Sequence, residues 1–122
     1  EEYMSYGERD ILVEIRIDKQ DTPVAIEALR NSRGDFPYLT GSIRKDENGY
    51  SIYIGTRPGA PQRAIKASQL LSEKGETAAS RAGEVAAEEL NYQTNSHASE
   101  EYRRAMVKGM VCRLVKEVNS WK

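Results

Sequence analysis

The sequence predicts an α+β domain in which an antiparallel sheet is covered on one face by helices. Three observations predict this class. Apolar residues recur with a period of two in residues 1–58, an Asn-Gly turn signal divides two strand candidates there, and residues 59–122 carry apolar residues at helical spacing. A chain of 122 residues has the length of one domain, so the strand-rich and helical parts are expected to form a single unit.

The strand candidates all lie in the first part. Over residues 11–17 every second residue is a branched aliphatic one, which predicts a strand with one buried face. Residues 24–30 are compatible with a short helix or an irregular crossing. Strands are predicted over 37–44 and 50–55, joined as an antiparallel hairpin by the tight turn at Asn48-Gly49. Three such strands need a cover for their apolar face.

The helix candidates that supply this cover follow the breaker cluster of residues 55–61. A helix is predicted over 62–74 with Gly75 as its C-terminal cap, and a second one opens at Glu76 or Thr77. After a polar loop over 91–98, Ser99 is predicted to cap a third helix. The apolar stripe of this third helix consists of Tyr102, Met106, Met110, Leu114, Val118 and Trp121.

Composition excludes several function classes. The 18 Lys and Arg residues nearly balance the 19 Asp and Glu residues, which argues against a general nucleic-acid binder. No run approaches the ~20 apolar residues of a membrane span. A single Cys and a single His exclude an internal disulfide and make a metal site or a catalytic triad unfavourable. We expect a cytoplasmic protein and, since the chain begins without Met, a part of a longer one.

No residue stands out as catalytic or metal-ligating. His97 is predicted to be an exposed or capping histidine, and Cys112 a buried structural thiol. The glycines of residues 55–59 lack the spacing of phosphate-binding loops and are better explained by the start of the following helix. The pairs Glu88-Glu89 and Arg103-Arg104 are interpreted as solvated helix faces. These residues predict a support or interaction domain without its own active site.

Several stretches, in order, resemble one family, the C-terminal domain of the FAD-binding (medium) subunit of molybdenum hydroxylases such as carbon monoxide dehydrogenase and xanthine dehydrogenase. Its pattern has an Ala/Glu-rich helix, a loop of about eight residues and a Ser-x-x-Tyr-Arg-Arg helix start. The matching segments are residues 82–90, the loop 91–97, residues 98–113 with Ser99, Tyr102, Arg103, Arg104 and Arg113, the stretch 7–17, Arg33-Gly-Asp35 and residues 55–64. The resemblance covers nearly the whole chain.

The resemblance implies a sheet of three or four antiparallel strands covered by three helices. It also implies that the chain is part of an oxidoreductase and is inactive as an isolated domain. In the intact subunit, electrons pass from iron–sulfur clusters on a small subunit through FAD to an acceptor such as NAD or a quinone, and a large subunit carries the molybdenum. The implied partners are the N-terminal FAD-binding domains and these two subunits. Without those domains, we expect the chain to bind FAD weakly or not at all.

The resemblance further implies which residues lie near the flavin. These candidates are Arg33, Asp35, Phe36 and Pro37 in the loop before the hairpin, with Lys45 on the hairpin as a weaker one. For Arg33 and Asp35, a loop-stabilising ion pair is an equally weighted interpretation. The alternative function is a non-catalytic protein-interaction module without flavin contact, which would dock through the apolar third helix or the hairpin edge.

Overall fold

The sheet has four antiparallel strands in the order of the chain. The computed structural model describes residues 11–19, 21–56 and 59–121. Its strands are β1 (Val24–Leu29), β2 (Leu39–Asp46), β3 (Gly49–Gly55) and the short β4 (Gln62–Arg63). Each strand pairs with the next, which gives the order β1-β2-β3-β4. The α+β class is therefore confirmed, with four strands.

The hairpin between β2 and β3 forms as predicted. Asp46 pairs with Gly49, so Glu47 and Asn48 make the turn itself. Asn48 donates its backbone N–H to the Asp46 carboxylate at 2.9 Å. Gly49 follows with φ of 110°, a left-handed conformation that a side chain would strain. The Asn-Gly pair thus predicted the turn correctly, and Gly49 is the first residue of β3 after it.

The predictions for the first two segments of the chain, a strand over 11–17 and a short helix or irregular crossing over 24–30, were wrong. Residues 11–17 form no strand in the described part of the chain, and Ile11, Val13, Ile15 and Ile17 are 72–89% exposed. The position beside β2 is instead occupied by residues 24–29, for which a helix or an irregular crossing was considered. Pairing of every residue of β1 with β2, from Leu39 to Arg44, outweighs the weak helix propensity of this short segment. Residues 7–10 of the family-like stretch lie outside the described residues.

Three helices cover the inner face of the sheet: α1 (Ile65–Lys74), α2 (Ala79–Glu89) and α3 (Glu100–Asn119). A short 3₁₀ turn, Glu76–Ala78, joins the first two helices. The helix α1 packs on β3, α3 packs on β1 and β2, and α2 packs against both helices. The fully buried aliphatic side chains between the layers are Leu39, Ile43, Ile52, Ile54, Leu71, Val107, Val111, Leu114, Val115 and Val118.

Two helix ends follow the predicted signals, whereas the first helix begins at Ile65 and not at the predicted residue 62, because Gln62 and Arg63 form β4. Ser99 caps α3 by accepting a hydrogen bond from the Tyr102 backbone N–H at 3.2 Å. Gly75 ends α1 with φ of 71°. The start of α1 is capped from another helix, because the Glu89 carboxylate accepts the backbone N–H groups of Lys66 and Ala67 at 2.9 and 3.0 Å. Glu89 is therefore a capping residue, contrary to the predicted solvated face.

No described helix is both long and apolar enough to cross a membrane.

Candidate functional site

A cleft lies at the end of the sheet where three loops meet. The loops are residues 30–38 between β1 and β2, the segment after β3, and residues 91–98 before α3. The cleft has a volume of about 1060 Å³. Its lining comprises Gly34, Asp35, Phe36, Pro37, Tyr38, Gly59, Ala60, Pro61, Asn95, Ser96 and His97. It therefore brings together three of the five predicted flavin-site residues.

The loop 30–38 is held by its own turn. Asp35 accepts the Ser32 backbone N–H on its carboxylate at 2.9 Å and donates its own N–H to the Ser32 carbonyl at 3.2 Å. No ion pair joins Asp35 to Arg33 among the described residues, so that interpretation was wrong. Phe36 follows this turn and is 78% exposed on the cleft side. The turn thus presents an aromatic ring and the adjacent Pro37 at the rim.

Two of the predicted residues lie elsewhere. Arg33 is exposed on the same loop but does not line the cleft. Lys45 lies at the opposite end of the hairpin, about 20 Å along β2 by strand geometry. There its Nζ donates to Asn119 Oδ1 at 2.7 Å and lies 5.4 Å from the centre of the Tyr50 ring. A second cavity, of about 520 Å³, surrounds this end and includes Trp121.

The loop 91–98 is anchored by a buried arginine. Arg103 is 0% exposed, and its guanidinium donates to the Gln93 carbonyl at 2.5 Å and to Asn95 Oδ1 at 2.7 Å. Desolvation in this interior lowers the pKa of Arg103. Asn95 Oδ1 also accepts the backbone N–H groups of His97 and Ala98 at 3.0 and 3.2 Å. One buried charge thus shapes the wall of the cleft that carries Asn95 and His97.

The neighbouring Arg104 supports the start of the same loop. It donates to the Ala87 carbonyl and to Glu100 Oε1, and its guanidinium carbon lies 4.9 Å from the centre of the Tyr92 ring. The predicted solvated pair was therefore wrong for both residues. An arginine that is fully buried or stacked needs partners from a distant loop, and the spacing of residues along one helix does not reveal them.

Tyr92 provides a pH-dependent prediction for this loop. Burial raises the pKa of Tyr92 above its usual 10.0, and its hydroxyl donates to the Ala86 carbonyl at 2.9 Å. Because the folded pKa exceeds the unfolded one, this contribution to stability is complete below about pH 10 and is lost as the pH rises further. We expect the free energy of unfolding to fall by up to about 1.4 kcal/mol per pH unit there. Urea titrations of the chain and of Tyr92→Phe measure this slope, which the substitution should flatten; equal slopes would contradict the assignment.

The remaining groups of the cleft limit what it can do chemically. Tyr38 lines it and lies hydroxyl to hydroxyl with Tyr102 at 3.3 Å, a contact that raises the pKa of Tyr38. The titratable residues of the lining are Asp35, Tyr38 and His97. No group of three potential metal ligands occurs in the described ranges. Such a lining suits the binding of a ligand with a flat apolar surface.

Three residues of the lining, Tyr38, Asn95 and His97, were not predicted as site residues. Tyr38 directly follows Pro37, a predicted site residue, so its position in the sequence could have indicated that it lies near the site. Asn95 and His97 are positioned by hydrogen bonds within the loop and from the buried Arg103, and no local pattern predicts that this loop faces the Phe36 loop. His97 lines the cleft, and its backbone N–H donates a hydrogen bond to Asn95 Oδ1.

Comparison with known proteins gives one family and one fold. The profile of the family described as CO dehydrogenase flavoprotein C-terminal domain matches residues 25–118. No curated protein sequence matches significantly.

Solved structures share the fold at low sequence identity. Quinoline 2-oxidoreductase from Pseudomonas putida 86 is 20% identical with a TM-score of 0.71, over 82% of this chain and 38% of its own. Carbon monoxide dehydrogenase from Hydrogenophaga pseudoflava, lacking the Mo-pyranopterin moiety of its cofactor, is 20% identical with a TM-score of 0.72. The match covers 84% of this chain and 38% of that one. Reconstituted CO dehydrogenase from Oligotropha carboxidovorans is 19% identical with a TM-score of 0.72. The match covers 87% of this chain and 40% of that one. The chain thus spans about two-fifths of the length of these structures.

Proposed function

The chain belongs to the CO dehydrogenase flavoprotein C-terminal domain family, and from this premise we propose that it forms one wall of the flavin site in the FAD-binding subunit of a molybdenum hydroxylase. In this assignment, N-terminal FAD-binding domains hold the rest of the cofactor. An iron–sulfur small subunit and a molybdenum-binding large subunit complete a cytoplasmic oxidoreductase. When bound, FAD supplies the electron-transfer chemistry between the clusters and an acceptor.

The observation that carries the proposal is the cleft with Phe36 and Pro37 at its rim. Its volume of about 1060 Å³ accommodates a flavin ring, and its wall combines an exposed aromatic side chain with Pro37 and Pro61. Flat apolar groups of this kind stack on a planar ring. Asp35 and His97 would lie beside the ring as polar groups. The domain therefore contributes position and burial, while the phosphates need a cradle from other domains.

The proposal predicts weak but localised flavin binding by the chain itself. In an NMR titration with FMN, we expect shifts at the amides of Asp35, Phe36 and His97. Phe36→Ala should weaken binding about five-fold, because an aromatic contact contributes about 1 kcal/mol. Trp121→Ala is the matched control: this ring is also exposed, at 57%, but lies in the cavity at the Lys45 end. It should change the affinity less than about two-fold.

A second candidate function is docking of a partner protein without flavin contact. It is favoured by the apolar side chains of Val13, Ile15 and Ile17, which are 89%, 72% and 84% exposed. The same titration separates the two functions. FMN shifts confined to the cleft support the flavin wall. An unchanged cleft at the highest FMN concentration would contradict the flavin wall and leave docking as the favoured function. Shifts concentrated at the Lys45 end would contradict a flavin wall built on this cleft.

A further inference from the structure

A small cavity adjoins the cleft behind the Phe36 loop. Its volume is about 260 Å³, and it is lined by Pro37, Thr40, Gly55, Thr56, Gly59 and Pro61. Three of these residues, Pro37, Gly59 and Pro61, also line the cleft. The cavity and the cleft therefore share part of their wall.

The cavity contains a buried hydroxyl group without a partner. Thr56 is 1% exposed, and its Oγ1 has no hydrogen-bond partner in the described part of the chain. Buried hydroxyls are nearly always paired, so an unpaired one points to a partner from outside the protein. The other hydroxyl of the cavity is already used, because Thr40 Oγ1 donates to the Gly55 carbonyl at 3.4 Å. Thr56 is thus the polar side chain that the cavity offers to a ligand.

The shape of the cavity indicates what kind of ligand group fits. At about 260 Å³ it is far larger than the ~30 Å³ of one water molecule. Two prolines and two glycines form most of its wall, and its polar side chains are Thr40 and Thr56. A Cβ added to Gly59 would lie 3.6 Å from Thr56 Oγ1 and 3.2 Å from the Thr56 carbonyl oxygen. The absence of a side chain at Gly59 therefore keeps the space beside the hydroxyl open.

We infer that this cavity binds the polar edge of a planar nitrogen heterocycle, with a ring carbonyl or ring N–H hydrogen-bonded to Thr56 Oγ1. If the proposed function holds, on which this assignment rests, the heterocycle is the flavin ring and its pyrimidine edge enters the cavity. The dimethylbenzene edge has no polar atom for Thr56 and stays toward Phe36. A nicotinamide ring has neither a ring carbonyl nor a ring N–H, but its exocyclic carboxamide offers an equivalent C=O and N–H from a second source.

The test uses hydroxyl variants and two ring probes. The chain, Thr56→Val and Thr56→Ser are titrated by NMR with FMN and, separately, with nicotinamide mononucleotide. Thr56→Val keeps the shape and removes the hydroxyl, so it should weaken binding of the true ligand about three- to ten-fold, whereas Thr56→Ser should retain it within about two-fold. Thr77→Val is the matched control, because this hydroxyl lies outside the cavity and donates to the Lys74 carbonyl at 3.2 Å; it should leave the affinity nearly unchanged.

A stability measurement separates a binding role from a structural one. If the Thr56 hydroxyl forms its hydrogen bond only with a ligand, Thr56→Val should have the same melting temperature as the parent chain or a higher one. The substitution then removes a buried hydroxyl that is unpaired in the ligand-free protein. A clear fall in melting temperature would show that the hydroxyl is paired within the protein and would overturn the inference. So would equal FMN affinity of Thr56→Val and the parent chain, an outcome that leaves the proposed flavin wall intact.

The two probes also separate this inference from the proposed function. Thr56-dependent binding of FMN supports both. Thr56-dependent binding of nicotinamide mononucleotide with no binding of FMN supports the heterocycle site and contradicts the flavin wall. If neither probe shifts Thr56 or the cleft, both are overturned.

Discussion

Replacing Arg103 by methionine is expected to lower the free energy of unfolding by about 3 kcal/mol. Methionine approximates the length of the arginine stem but cannot donate to the Gln93 carbonyl or to Asn95 Oδ1, which Arg103 contacts at 2.5 and 2.7 Å. Both acceptors would lose a charged donor in a region where Arg103 itself is 0% exposed. The loss combines broken charge-assisted hydrogen bonds with the desolvation of groups left unpaired.

The same substitution should loosen one wall of the cleft. Asn95 Oδ1 accepts from Arg103 and from the backbone of His97 and Ala98, so the loop 91–98 loses the donor that orients its central side chain. We therefore expect the amide signals of Asn95 and His97 to shift or broaden even where the variant is fully folded. In the FMN titration, the affinity should fall together with these changes.

The matched control for this prediction is Arg81→Met on α2. Arg81 also forms an ion pair, with Glu84 at 2.7 Å, but its side chain is 62% exposed. Exposed pairs of this kind contribute little, so the control should change stability by less than about 0.5 kcal/mol. Urea unfolding of both variants measures the difference. A loss below about 1 kcal/mol for Arg103→Met would show that the loop is held by other contacts.

The second large effect is expected at Gly83, where α2 approaches α3. A Cβ added there would lie 2.6 Å from the Lys108 carbonyl oxygen and 3.1 Å from the Lys108 Cα. Both are backbone atoms, so the clash can be relieved only by separating the helices. Gly83→Ala should lower the free energy of unfolding by about 2 kcal/mol. The sign is informative, because alanine in place of a helical glycine ordinarily stabilises by up to about 1 kcal/mol.

Gly109 on α3 is the matched control for Gly83. An added Cβ there meets the end of the Arg113 side chain at 3.1 Å, a group that can move aside. Gly109→Ala should therefore be neutral or stabilising by up to about 1 kcal/mol. Thermal and urea unfolding of the two variants give the comparison. Equal effects of the two alanines would refute the close helix approach as the reason for Gly83.

Individual residues show how far local patterns reach. The hairpin at Asn48-Gly49, the cap at Gly75 and the start of α3 at Ser99 were predicted correctly, since each is decided by a few neighbouring residues. Residues 11–17 carry a clear alternation but have no partner strand in the described chain, and β1 forms instead from residues 24–29. Alternation indicates a face to be buried, whereas the neighbour that buries it is a property of the whole fold.

The α+β class, the hairpin, the three helices and the family were predictable from the residues alone, because these depend on short-range periodicity, turn chemistry and motif order. The burial of Arg103, the capping of a different helix by Glu89 and the position of His97 opposite the Phe36 loop became visible in the packed fold. These contacts join residues from separate elements. Their energies depend on desolvation and distance in the packed state, which no run of neighbouring residues specifies.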